Sequence, residues 1–344
     1  MFNFAVMKEK LLGKTLAELK AAAQDCGLKG FVGAQLADWL YAKRVRSWDR
    51  MANISKSARE ALAARYELGV SDPAGTAVSS DGTKKYLFQV SGSSFIESVM
   101  IPDEGRCTLC VSSQAGCRMG CKFCMTGRGG YHGQLDAADI LNQFVSVDEA
   151  GALTNAVFMG MGEPLDNYDT VSRVLEVLTA PWGFAWSPKR ITVSTIGVLP
   201  ALRRFLDGQR CHLAVSLHNP FPEERLSLMP VQKAWDIREA LDLIRQYDFS
   251  GQRRVSFEYT MFAGFNDDKR HADALIRLLR GLECRVNLIR FHQIPDFPYA
   301  CASDQAMEAF RDRLCNHQIL CTIRSSRGED ILAASGMLAG QHSE

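Results

Sequence analysis

Along the first seventy-five residues, apolar positions recur at helical spacing between short polar breaks. In TLAELKAAAQDCGL, Leu16, Leu19 and Ala22 share one face, and Thr15 with Glu18 has the form of a capping box. FVGAQLADWLYAKRV repeats the period through Leu36, Trp39, Leu40 and Lys43. The pattern then changes to alternation: TKKYLFQV and FIESVMIP, separated by SGSS, predict a β-hairpin. From about residue 107 to 330 it changes again. Apolar, β-rich runs (NAVFMGM, RITVST, HLAVSL, RVSFEYTMF, RVNLIRF, ILCTIR) alternate with amphipathic stretches (AADILNQFVSV, YDTVSRVLEVLTA, VLPALRRFL, WDIREALDLIRQY, KRHADALIRLLRGL, DQAMEAFRDRLCN). Successive β/α units imply an α/β fold with a parallel sheet and outer helices, closed or partial as a barrel. Ligands in such folds sit where strands end, so the residues just after each apolar run are the ones to inspect.

Charge adds one local feature. Forty Lys and Arg against thirty-nine Asp and Glu leave +1 over 344 residues, which excludes a globally basic coat but not a basic patch. Residues 1–75 hold twelve basic against eight acidic side chains, with Lys43, Arg44, Arg46 and Arg50 close together. That cluster reads either as a phosphate-tracking surface or as a solvated helix face. The chain is 47% apolar, enough for a sizeable core. No apolar run approaches the ~20 residues of a membrane helix. MFNFAVMKEKLLGK lacks a signal-peptide core, so a cytoplasmic protein is expected. The pattern shifts divide the chain into a helical accessory domain (1–75), a β-hairpin linker (76–106) and a core (107–344).

Eleven cysteines, five of them between 107 and 124, make a poor disulfide framework. Within CTLCVSSQAGCRMGCKFCMTGRGG, Cys117, Cys121 and Cys124 form C-x3-C-x2-C. Three thiolates on a short loop can hold three irons of a [4Fe–4S] cluster and leave the fourth open. Two other readings stand beside this one: a zinc site completed by Cys107 and Cys110, and unrelated core thiols. After NAVFMGM, Gly160 and Gly162 would let a ligand approach the backbone, and Glu163 offers a carboxylate suited to an ammonium.

The cysteine spacing with Phe123 before the last thiol resembles the radical S-adenosylmethionine superfamily. CVSSQAGCRMGCKFC, FMGMGEPLDNYDTV, RITVSTIGVLPAL, LAVSLHNPFPEERLSLMP, NLIRFHQIP and IRSSRGEDILAASGMLAG occur in that order. Together they resemble the dual-specificity 23S rRNA and tRNA adenine-C2 methyltransferases over nearly the whole chain. The relative that methylates C8 of the same rRNA adenine shares much of this pattern, and a non-catalytic RNA-binding paralogue is a further alternative.

The resemblance implies a partial (β/α)6 radical-SAM barrel with an RNA-binding helical domain at residues 1–75. Cys117, Cys121 and Cys124 would ligate the [4Fe–4S] cluster. Gly162, Glu163, Ser194, Ser216, Leu217, His218 and His292 would contact S-adenosylmethionine; other family members carry Asn at the position of His292. Adenine C2 is electron-poor and cannot accept a methyl cation by polar transfer. The family therefore methylates a cysteine near the C-terminus and uses a second S-adenosylmethionine to generate a radical there. Cys110 would resolve the resulting adduct through a disulfide, and Glu97 matches the proton acceptor. Substrates would be 23S rRNA (peptidyl transferase centre) and tRNA (next to the anticodon). A reduced flavodoxin- or ferredoxin-type electron donor, a monomeric state and no membrane association complete the expectation. The target adenine must leave its stack to be reached, and Arg324 and Arg327 lie close in sequence to where it would arrive.

One residue departs from the pattern. Where the family has its methyl-accepting cysteine, in ILAASGML, this chain has Ser335. A hydroxyl stays protonated at neutral pH, and its adduct could not be resolved by disulfide formation. An engineered Cys→Ser change is favoured over a natural paralogue or a substitute thiol, because every other motif is intact. The chain is expected to bind cluster and cofactor without turnover.

Overall fold

The computed structural model describes residues 8–90, 92–251 and 253–340. The start of the chain read above for a signal peptide therefore lies partly outside the described residues, as does Ser91 of the SGSS turn. The chain forms two compact units. One comprises the described residues up to Pro73 with Leu135–Leu153 and Asp169–Ser187; the other comprises Ala74–Gln134, Thr154–Tyr168 and Pro188 onward.

In the first unit the expected capping box is present. The Thr15 amide donates to Glu18 Oε2 at 2.7 Å and the Glu18 amide to Thr15 Oγ1 at 3.3 Å, starting the helix Leu16–Asp25. A second helix, Phe31–Ala37, runs on through a π turn, Asp38–Ala42. The two helices touch at Gly33, where a Cβ would fall 2.4 Å from the Lys20 Cα. The amphipathic stretch at 137–147 and most of that at 168–180, expected as outer helices of the β/α core, group with these N-terminal helices instead. Phe144, Phe184 and Trp186 stack edge-on among them, and Lys10 pairs with Asp139 at 2.8 Å. This unit is thus larger than the stretch 1–75.

The second unit is built on one ten-stranded sheet. Seven strands run parallel and neighbour one another in chain order: Arg106–Cys110, Asn155–Phe158, Ile191–Thr195, His212–Ser216, Val255–Met261, Arg285–Arg290 and Leu320–Ile323. Each apolar run from 155 onward is a strand. Antiparallel strands Phe95–Asp103, Lys84–Gln89 and Gly75–Val78 extend the other edge. The expected hairpin pairs Lys84 with Met100 through Gln89 with Phe95. The alternation did not reveal its two flanking strands, one short and glycine-led, the other punctuated by cysteines. Leu213, Val215, Phe257, Tyr259, Val286 and Leu288 fill the sheet's buried positions. No helix among the described residues is long and apolar enough to cross a membrane.

Candidate functional site

The cysteine loop is closed by a small ribbon in which Gln114–Gly116 pairs antiparallel with Tyr131–Gln134. At Gly116 (φ +72°) a Cβ would lie 2.0 Å from the Gly130 carbonyl oxygen, so the pairing requires glycine. The Cys117 amide donates to Gly130 O (2.8 Å) and the Lys122 amide to Leu228 O (2.9 Å). Burial pushes the Cys117 thiol up to about 12, and the charges of Glu163, Cys124 and Asp166 add to it against a Met119 amide. Burial, then Cys124 and Cys117, raise Cys121 well above the ordinary thiol range, against the charge of Arg225. Cys117 and Cys121 each feel the Cys124 sulfur, so the three thiols stand close together, and a bound metal would favour their ionised forms.

Among the described residues no three Cys, His, Asp or Glu side chains already surround a single metal position. A cubane instead gives each thiolate its own iron. Cys107 and Cys110 do not complete a zinc set as a pair. They stand three apart on the strand Arg106–Cys110 and face opposite sides of the sheet. Cys110 lies across from Val99 and Val157, its thiol pushed up to about 12 by burial. None of the eleven cysteines is in a disulfide.

The strand ends form a crown beside this loop. Residues 111–114 continue the pairing: Gly160 donates to Val111 O (3.1 Å), Ser113 to Met161 O (2.9 Å), and the Met161 amide to Ser112 Oγ (2.8 Å). A Cβ at Gly160 would come within 2.8 Å of the Val111 carbonyl. One at Gly162 (φ +95°) would lie 2.5 Å from Gln114 Cβ. The glycines thus admit a neighbouring chain segment. Glu163 is buried. Its amide donates to Gln114 Oε1 (2.8 Å), and its carboxylate accepts from the Leu165 and Ile196 amides (3.1 and 3.0 Å). Burial nevertheless raises its carboxyl to about 7, against hydrogen bonds led by Thr195.

Ser194 lies on the half-exposed side of Ile191–Thr195. The Leu217 and His218 amides both donate to Glu258 O at 3.1 Å. His218, at φ +56°, accepts the Thr260 amide on Nδ1 (3.0 Å), which leaves the imidazole hydrogen on Nε2. Burial and the Arg225 charge lower its pKa to about 3, so it is neutral. Its ring meets Phe123 edge-on at 4.9 Å. His292 is buried, with Nε2 3.1 Å from Ser326 Oγ and Nδ1 3.4 Å from Glu329 Oε1.

Those two partners belong to the C-terminal segment, which returns to the same loop. The Met125 amide donates to Gly336 O (2.8 Å) and Thr126 Oγ1 to Leu338 O (2.6 Å). Ser335 is exposed, between buried Ala334 and half-buried Gly336, and a Cβ at Gly336 (φ +83°) would touch the Phe123 carbonyl at 3.2 Å. Glu97 reaches this segment from the antiparallel strands: its Oε2 accepts the Ala339 and Gly340 amides at 2.7 and 2.9 Å. Ser335 and Glu97, far apart in sequence, thus converge on one segment. Arg327 lies 3.8 Å from Asp103, and the Arg324 amide donates to Leu288 O. Glu329 and Asp330, beside these arginines in sequence, meet His292 and Ser79.

Residues 111–275 match the Radical SAM superfamily, and residues 9–68 match the ribosomal RNA large subunit methyltransferase N-terminal domain. The chain is 58% identical to a probable dual-specificity RNA methyltransferase RlmN from Porphyromonas gingivalis, over 97% of its own length and 98% of that protein. It is 37% identical to the dual-specificity RNA methyltransferase RlmN of Syntrophus aciditrophicus, over 95% of each. The chain belongs to the RlmN family of radical SAM RNA methyltransferases. A radical SAM methyltransferase from Sphaerobacter thermophilus has the same fold, with a TM-score of 0.92 and 37% identity over 97% of this chain and 100% of that one.

An RlmN-family enzyme carries a [4Fe–4S] cluster and uses S-adenosylmethionine. The three half-buried thiols, close together on one short loop, fit that cluster. One residue of this RlmN-family site was not singled out from sequence. Arg225 is fully buried. Its guanidinium donates to the carbonyls of Leu217 (3.0 Å), Ser216 (2.9 Å) and Ile196 (3.1 Å) and to Gln232 Oε1. The one available signal was the charged run Glu223-Glu224-Arg225 inside a motif otherwise free of acidic and basic side chains but for His218. In the N-terminal unit, three of the four clustered cations have internal partners. Lys43 pairs with Asp38 (2.6 Å) and lies over Trp39, Arg46 pairs with Asp72, and Arg44 lies over Phe184 at 4.9 Å.

Proposed function

We propose that this RNA methyltransferase methylates C2 of adenine in 23S rRNA and in tRNA. When bound, the cluster and S-adenosylmethionine supply the one-electron cleavage of the sulfonium that a carbon as electron-poor as C2 requires. The chain's own residues position and shield. Cys117, Cys121 and Cys124 hold the cluster. Glu163 receives the ammonium of the methionine moiety; a cation there restores the ionised form that burial disfavours. Gly162, Ser194, Ser216, Leu217, His218 and His292 line the rest, and neutral His218 keeps Phe123 in place without adding charge.

Cys110 and residue 335 are the thiol pair of the reaction, so Ser335 stops it. The observation that carries this reading is that the segment bearing Ser335 docks on the cysteine loop through Gly336 and Leu338. A hydroxyl at that place neither accepts a methyl group at neutral pH nor forms a disulfide. The RNA partner presents a flipped adenine. The electron donor is of the flavodoxin or ferredoxin type, and the enzyme works as a cytoplasmic monomer.

The test is anaerobic incubation with S-adenosylmethionine, reductant and either RNA. Nucleosides are then separated by mass spectrometry against 2-methyl- and 8-methyladenosine standards. The chain as it stands should contain iron and sulfide and give neither product; Ser335→Cys should yield 2-methyladenosine. Product from the unaltered chain, or 8-methyladenosine from the variant, overturns the reading.

A further inference from the structure

The antiparallel strands at the sheet edge supply side chain after side chain to the C-terminal segment. Asp81 Oδ2 accepts the Gly328 amide (3.0 Å). Ser79 Oγ and the Ser80 amide donate to Asp330 (2.6 and 3.1 Å), and Lys85 Nζ reaches Leu332 O (3.4 Å). The last and most buried contact is Glu97, 3% exposed, where an uncompensated carboxylate would be costly. It is compensated twice. Oε2 takes two consecutive amides, Ala339 and Gly340. Oε1 pairs with Lys85 Nζ at 2.9 Å. The sheet register explains the ion pair: Glu97 lies opposite Leu87, so Lys85, two residues along, is its diagonal neighbour on the same face. Gly340 itself has no room for a side chain, since a Cβ would fall 2.6 Å from Phe95 O.

We infer that Glu97 is a positioning residue: by gripping the Ala339 and Gly340 amides it fixes where residue 335 stands against the cysteine loop. The segment 334–340 has four anchoring hydrogen bonds to the rest of the unit, at Gly336, Leu338, Ala339 and Gly340. Glu97 makes two of them. Its carboxylate is committed to these donors before any RNA arrives, which a group acting only on the substrate's proton would not need. The antiparallel extension then has a purpose of its own, as the holder of the reactive segment. This inference rests on the proposed function only for what residue 335 does chemically.

Two readouts on the full-length, cluster-loaded protein carrying Ser335→Cys test it, neither involving RNA. One is the rate at which iodoacetamide alkylates the introduced thiol, followed on its own peptide by mass spectrometry. The other is methyl uptake by that thiol from labelled S-adenosylmethionine. Losing two charge-assisted hydrogen bonds should make alkylation about tenfold faster in Glu97→Ala and lower methyl uptake by a similar factor. Glu97→Gln, which keeps the shape and one acceptor oxygen, should fall between. Iron per chain equal to the parent's shows that the fold is kept. Should Glu97→Ala lose its iron, Glu97→Gln and Lys85→Met decide the matter by the same two readouts. Alkylation and methyl uptake unchanged in these variants would overturn the positioning role and leave Glu97 to act on substrate alone. Alkylation that responds to Glu97 in a parent that takes up no methyl group would instead refute the methyl-acceptor reading of position 335 and leave the positioning role standing.

Discussion

The crown of strand ends and the C-terminal segment face the same cysteine loop but are held by different kinds of bond. The crown hangs from the sheet: Val111, Ser113, Leu217 and His218 donate backbone hydrogen bonds to neighbouring strands or their extensions. Residues 324–340 contain only one short helical turn, Glu329–Ile331, and pass through left-handed backbone at Gly328, Leu332, Gly336 and Gly340. Much of their anchorage is side-chain: Asp81, Ser79, Lys85, Glu97 and Thr126. A ladder of backbone bonds opens only when the sheet does, whereas a few side-chain contacts open locally at small cost. The crown, the proposed cofactor half, should therefore be the rigid one and the segment bearing residue 335 the one that opens locally, which suits a residue proposed to meet two reaction partners in turn.

The sharpest way to break the rigid half is at Arg225. Arg225→Ala removes four hydrogen bonds at once and takes the guanidinium from the buried Ser216 and Ile196 carbonyls, while Leu217 O keeps the Asn219 amide. At about 1–3 kcal/mol for each of those two buried carbonyls, the loss should be about 2 kcal/mol or more. Denaturant unfolding followed by circular dichroism measures it. A loss below about 1 kcal/mol would mean that the ladder holds the crown without its guanidinium.

Sequence patterns made the rigid half legible. Apolar runs marked the parallel strands from 155 onward, and His218, which follows one of them, meets Phe123 of the cysteine loop. Arg225 escaped because a buried arginine has no periodic signature; its three backbone acceptors are defined only once the strands at 191–195 and 212–216 lie side by side. The holder of the C-terminal segment was less legible still. Glu97 and Gly340 are more than two hundred residues apart, and nothing in FIESVMIP distinguishes a carboxylate that grips a backbone from one at the surface. The same limit applies to the helices at 137–145 and 168–179. Their amphipathic pattern announces a buried face but not which unit buries it.

Glu163 sharpens the comparison through pH. Its carboxyl is raised from 4.5 to about 7 in the folded chain. Between those values the folded state binds more protons than the unfolded one, so stability falls as pH rises through this window and levels off above it. The cost at pH 8 should be about 3 kcal/mol in protein without cofactor. Glu163→Gln should flatten that part of the profile, so that the variant gains on the parent in thermal melts as pH rises from 5 to 8. It should also lose affinity for S-adenosylmethionine in calorimetry. A parent whose stability is flat across the window would show that the Leu165, Ile196 and Thr195 hydrogen bonds fully offset the burial.

The smallest expected effect on stability is the most specific for the detachable half. Thr126→Val removes the buried hydrogen bond from Oγ1 to Leu338 O while nearly keeping the side chain's volume. The global cost should be about 1 kcal/mol. If the segment opens locally, the same loss acts on its own small opening free energy. Hydrogen exchange at Ala339 and Gly340 should then quicken about fivefold. Amides of the His212–Ser216 strand, which exchange only through larger openings, should be far better protected in the parent chain than those of Ala339 and Gly340. Equal protection at both places in the parent would mean that the segment and the sheet open as one cooperative unit. The division into a fixed cofactor half and a detachable half would then fail, because a thiol at 335 could change partners only by disrupting the cofactor half as well.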